Sequence, residues 1–222
     1  MGHYLCKSAL TFLLVSPWLS GSVLGETAPV RLVLIGNSYI SSHGVPLDRT
    51  FDVQLEKALN ASGSSVQVVG SGYTATASKG VERLKSLLET ENVLGGAGQK
   101  AVILELGSND CFRHTLEETQ TSLDAILKTL ADQRIPVLVA GTTPYDTCPR
   151  KDWPNHEVRY VQMFADLAAK YGGLYYKDFK EGVGDHPELM QSDRDHPTAE
   201  GDAVIVSNIL PIVRELVARA QR

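Results

Sequence analysis

Residues Val30 to Ile35 (VRLVLI) form an apolar run broken only by Arg31, and Gly36-Asn37-Ser38 ends it. A strand with one wet face alternates apolar and polar residues. A run this continuous belongs in a sheet covered on both faces, as parallel sheets are. Gly36 permits a sharp turn where the strand stops. Ser38 then stands just beyond the carboxyl edge, the edge at which open α/β sheets bind their ligands.

The rest of the chain repeats that theme. Helical spacing of Phe51, Val53, Leu55, Ala58 and Leu59 predicts a helix over Arg49 to Leu59 with Asp48 as N-cap. Val66 to Val69 reads as a short second strand stopped by Gly70-Ser71-Gly72, and Val81 to Leu88 as an amphipathic helix. A third strand, Ala101 to Leu106 (AVILEL), runs into Gly107-Ser108-Asn109-Asp110, and Leu116 to Leu130 carries a helical stripe. Ile135 to Ala140 is a fourth strand, Val158 to Tyr171 a helix and Leu174 to Tyr176 a fifth strand. A helix from about Thr198 to Ala220 closes the chain, with a kink expected at Pro211. Such alternation predicts one doubly wound α/β domain with a five-stranded parallel sheet. Right-handed crossovers then put every strand's carboxyl end on one side.

The N-terminus stands apart. Lys7 is the only charged side chain before Glu26; an apolar run, Ala9 to Val15, follows it, and small residues lead to Val23-Leu24-Gly25. This is the layout of a secretory signal peptide over 1–25, leaving 26–222 as the folded domain and an exported (periplasmic or secreted) location. The run is too short to span a bilayer, so no stable membrane anchor is expected. Export permits a disulfide, and Cys111 and Cys148 both fall in loops at the same sheet edge; two thiols are the alternative. A formal charge of −5 points to no nucleic-acid partner.

A serine nucleophile needs a base, a group to orient that base, and donors for the oxyanion. An acid three residues before a histidine on one loop can turn back onto its Nδ1. Among the histidines beyond the leader only His196 has one, Asp193, in Asp-Arg-Asp-His-Pro. Asn109 offers a side-chain NH₂ from the turn after the third strand.

Together, Gly36-Asn37-Ser38, Gly107-Ser108-Asn109-Asp110 and Asp193 to Pro197 resemble the SGNH hydrolases, also called the GDSL family. The segments FDVQLEKAL (51–59), ELGSND (105–110) and LMQSDRDHP (189–197) are most similar to its arylesterase, acyl-thioesterase and lysophospholipase-type members. The resemblance implies a three-layer, flavodoxin-like α/β/α sandwich. It also implies hydrolysis of a small-molecule carboxylic ester or thioester through an acyl-enzyme, with no metal or organic cofactor. Matched residue by residue, the nucleophile falls on Ser38, the acid on Asp193 and the base on His196. The oxyanion donors fall on Ser38, Asn109 and the family's second-block glycine, whose register lands on Ala75, with Gly72 the nearest actual glycine.

Three departures mark this chain. Asn37 replaces the family's usual Asp, Ala75 replaces a glycine, and Asp195 adds a carboxylate beside His196. The first two motivate a non-catalytic binding protein on the same fold as one alternative. Aromatics at Tyr73, Tyr145 and Trp153 suit either an acyl groove or a sugar platform, so a carbohydrate O-acetylesterase is the other. Gly70 to Ala75 also matches G-x-G-x-x-A, but on the second strand, with no helix signal directly after it. The turn at Ser38 lacks the final glycine of the G-x-S-x-G elbow.

Overall fold

A computed structural model describes Met1, residues 28–142 and residues 156–222 of the chain. Residues 2–27, which hold the expected leader apart from Met1, and Tyr145, Cys148 and Trp153 lie outside these residues. Among the described residues there are five strands, β1 (Val30–Gly36), β2 (Val66–Tyr73), β3 (Lys100–Glu105), β4 (Val137–Ala140) and β5 (Leu174–Tyr176). They pair in the order β2-β1-β3-β4-β5, every pair parallel. The chain therefore steps outward from β1 to β2, then returns to the other side of β1 with β3. That reversal opens a crevice beyond the carboxyl ends of β1 and β3, where doubly wound sheets bind ligands.

Among the described residues five α-helices cover the sheet: α1 (Phe51–Ala61), α2 (Ala77–Glu89), α3 (Leu116–Asp132), α4 (His156–Lys170) and α5 (Ala199–Ala220). Successive strand residues face opposite sides. Leu32 and Leu34 of β1 join Ile103 and Leu138 in a core shared with α1 and α5. Val33 and Ile35 join Val102 and Leu104 in a second core under α2, α3 and α4. All eight of these side chains are buried. This two-sided burial accounts for an apolar run that only Arg31 interrupts.

Local chemistry sets where the helices begin. Thr76 accepts the Lys79 N–H at the start of α2, and Thr198 accepts that of Gly201 at the start of α5. Thr115 and Glu118 form a reciprocal capping box on α3. Each such cap contributes about 1 kcal/mol.

The structure moves several expected boundaries. Asp48 lies in a short 3₁₀ turn, Leu47–Arg49, and Thr50 is the N-cap of α1. Helix α2 starts four residues before Val81, because Thr76 supplies a cap that the apolar spacing does not reveal. Strand β2 runs through Gly70-Ser71-Gly72 to Tyr73. Leu34 pairs with Gly70 and Gly36 with Tyr73, so β2 carries one residue more than β1 over this step. Gly72, with φ +74°, absorbs the extra residue as a bulge. Helix α5 is continuous across Pro211, which lies on its exposed side. Water can bond the carbonyl that the missing N–H leaves free there. Cys111 is buried in the 3₁₀ turn Asp110–Phe112. No helix among the described residues is long and apolar enough to cross a membrane.

Candidate active site

Two glycines let the backbone turn sharply at the crevice. A Cβ on Gly36 would come within 2.2 Å of the Ile40 side chain, so only glycine allows β1 to fold back this tightly. Gly107 has φ +124°, and a Cβ there would meet Phe164 Cζ at 2.9 Å. Its carbonyl also accepts the Tyr160 hydroxyl.

Beyond Gly36, Asn37 forms an Asx turn. Its Oδ1 accepts the Tyr39 N–H at 2.9 Å, which leaves Ser38 at the crest. The turn-forming role of the family's usual Asp thus survives in Asn37. The amide half has a second role: Nδ2 donates to Ser108 Oγ at 2.5 Å and to Glu105 Oε1 at 3.3 Å. The Asn37 backbone N–H lies 3.4 Å from Glu105 Oε2. Glu105 is fully buried, and burial pushes its carboxyl up to about 8 against these hydrogen bonds. Sequence reasoning passed over Glu105 as a functional position. Its signal was there, a carboxylate within the apolar strand AVILEL, which demands a buried partner.

His196 arrives from the loop before α5. Its Nε2 lies 2.9 Å from Ser38 Oγ, and its Nδ1 lies 2.8 Å from Asp193 Oδ2. Asp193 Oδ1 accepts the backbone N–H groups of Asp195 at 2.9 Å and His196 at 3.1 Å. Arg194, with φ +58°, bends the turn so that both amides face the same oxygen. These bonds, with the imidazole's own, hold the Asp193 carboxyl down at about 2 although it is largely exposed. An ionised carboxylate at Nδ1 keeps the proton there, so Nε2 offers its lone pair to the serine hydroxyl.

Ser38, Asn109 and His196 line one open cleft of about 470 Å³ together with Ser41, His43, Tyr73 and Asp195. Asp193 stands behind His196. Gly72 and Ala75 flank Tyr73 in sequence without lining the cleft themselves. Thr74 N–H donates to the Gly36 carbonyl at 2.9 Å, which holds the Ala75 backbone beside the end of β1. His43, which has Ile40 and not an acid three residues before it, has its ring 5.0 Å from that of His196. Gln191 Nε2 fixes it by donating to the His43 carbonyl at 2.6 Å and to that of Pro197 at 2.8 Å. Nothing in the sequence marks this contact, which joins loops about 150 residues apart.

Comparison with known proteins gives the same picture. Residues 34–204 match the model of the GDSL-like lipase/acylhydrolase family. The chain is 26% identical over 215 residues to Esterase TesA of Pseudomonas aeruginosa, covering 92% of this chain and 98% of that protein. It is 26% identical over 198 residues to an arylesterase of Vibrio mimicus, covering 86% and 88%. The crystal structure of AlinE4, an SGNH-hydrolase family esterase, superposes with a TM-score of 0.66 at 27% identity, covering 86% of this chain and 97% of that one. The family match spans the serine, asparagine and histidine loops, and the fold agrees over 86% of the chain: the chain belongs to the GDSL-like lipase/acylhydrolase family.

Proposed function

We propose that the chain hydrolyses carboxylic esters through an acyl-enzyme, with Ser38 as nucleophile, His196 as base and Asp193 as the group that orients it. One observation carries the reading. A serine hydroxyl, an imidazole and a carboxylate follow one another at 2.9 and 2.8 Å, with the serine in an open cleft. His196 Nε2 takes the hydroxyl proton as Ser38 Oγ bonds to the carbonyl carbon. The tetrahedral intermediate then expels the alcohol, which leaves with that proton from Nε2. Water, deprotonated by the same nitrogen, cleaves the acyl-serine and restores the enzyme.

The oxyanion is held by the Ser38 N–H, the Asn109 side-chain amide and the N–H of Ala75 or Gly72. The Ser38 and Ala75 amides donate to no acceptor among the described residues, which favours Ala75 over Gly72. An alanine N–H donates as well as a glycine's, so the missing glycine does not argue for a binding protein. Thioesters, glycan O-acetyl groups and long acyl chains are arms of one test. Aryl esters from acetyl to long acyl, an acetylated glycan and a lysophospholipid are given to wild type and Ser38→Ala. Turnover lost in Ser38→Ala, with fluorophosphonate labelling of wild type alone, is the expected result. No turnover and no labelling would leave the binding reading.

Residues 1–25 are proposed to direct export. Mass measurement of the protein recovered outside the cytoplasm should show a chain beginning near Glu26. An intact N-terminus on a cytoplasmic protein would overturn this.

A further inference from the structure

The neighbours of the proposed catalytic pair are bonded to each other. Tyr39 follows Ser38 and Asp195 precedes His196, and Tyr39 Oη lies 2.6 Å from Asp195 Oδ1. Two links therefore join the same two turns side by side, this one and the 2.9 Å contact between Ser38 and His196. Lys180 sets the direction of the first. Its Nζ is 3.0 Å from Tyr39 Oη, 3.7 Å from Asp195 Oδ1 and 4.6 Å from the centre of the Tyr39 ring. An ammonium only donates, so the phenol oxygen accepts from Lys180 and its single proton goes to Asp195. The ring beneath is buried, stacked on Phe179 with centroids 6.5 Å apart and tilted against His196 at 5.8 Å.

The need for such a link follows from where the orienting acid lies. Asp193 belongs to the same turn as His196 and moves with it. It can aim the imidazole, but it cannot set how far that turn stands from Ser38. Gln191 ties the outer part of the histidine loop to His43, and the Tyr39–Asp195 bond ties the residues that flank the reacting atoms. We propose that Tyr39, Asp195 and Lys180 are positioning residues that hold His196 Nε2 at proton-transfer distance from Ser38; this rests on the ester-hydrolase reading above. Asp195 Oδ2 also lies 4.0 Å from His196 Nε2, so its charge could act on the imidazole directly. Tyr39→Phe separates the two effects, since it removes the bond and keeps the charge.

The test measures kcat, KM and Tm with an aryl acetate for wild type, Tyr39→Phe, Asp195→Ala and the double variant. A misplacement of about 1 Å costs up to about 100-fold in rate, so each single variant should lose about 10- to 100-fold in kcat. KM should stay near wild type, and the loss should exceed anything the change in Tm explains. The double variant should be no slower than the slower single one, because both remove the same link. Wild-type kcat in Tyr39→Phe, or losses that multiply in the double variant, would overturn the proposal. Should Asp195→Ala fail to fold, Lys180→Met must still lower kcat, and unchanged kcat there sinks the idea. Ser38→Ala run in parallel keeps the readings apart. Full turnover without the serine hydroxyl overturns the ester-hydrolase reading, and the positioning proposal falls with it. A dead Ser38→Ala beside an unaffected Tyr39→Phe overturns the positioning proposal alone.

Discussion

Asn37 Nδ2 donates to Glu105 across neighbouring strands at 3.3 Å, beneath the turn that presents Ser38. Both groups are buried, so this bond and the 2.5 Å bond to Ser108 replace the water both would otherwise hold. An ionised aspartate at 37 can donate nothing to Ser108 or to Glu105, and above about pH 8 Glu105 loses the proton it could offer in return. Asn37→Asp should therefore destabilise the protein by about 1–3 kcal/mol, the usual cost of stranding buried polar groups. Two buried carboxylates repel, so the loss should deepen as pH rises. Thermal melts of both proteins across pH check it, and unchanged Tm would refute it.

Burial also raises Asp202 to about 7 and Asp110 to about 6, beside Glu105 at about 8. In each case the folded value exceeds the unfolded one of roughly 4, so the folded chain holds the proton more tightly. The stability these groups add is complete below about pH 4 and is lost as pH climbs through their folded values. Asp193 has the opposite sign: held near 2, it adds stability above its unfolded value that is lost on acidification. Glu105→Gln should flatten the decline of Tm between about pH 5 and 8, and curves parallel to wild type would contradict the burial argument.

Asn109 faces the cleft from the turn after β3. Removing one oxyanion donor typically costs about 10²–10³ in kcat, so Asn109→Ala should retain a weak, measurable esterase with little change in KM. Ser38→Ala should retain almost none. Equal residual rates for the two variants would remove Asn109 from the oxyanion site.

Gly107→Ala forces a side chain into φ +124° and against Phe164. The backbone alone should cost about 1–3 kcal/mol. Because this turn presents Asn109, kcat should fall along with Tm. Wild-type Tm would show that the turn relaxes freely.

Much of this molecule was legible in one dimension. Both faces of the sheet are covered, so VRLVLI had to be apolar except at Arg31, and a strand buried that way announces itself locally. The pairing of Asp193 with His196 was equally local, because an acid and a histidine three residues apart on one turn need no tertiary fold to meet. Other features were set by contacts between distant segments. Gly70 and Gly72 read as a stop, yet pairing with β1 carries the strand past them and turns the second into a bulge. Glu105, His43 and the Tyr39–Asp195 link have meaning only once loops far apart in sequence share one sheet edge. Sequence by itself determined the layers and the residue types available for chemistry, since periodicity and turn residues act over a few positions. Only tertiary structure decided which of those residues touch: hydrogen bonds act over about 3 Å, and only the docking of the loop before α5 against the turn after β1 brings Ser38 that close to His196.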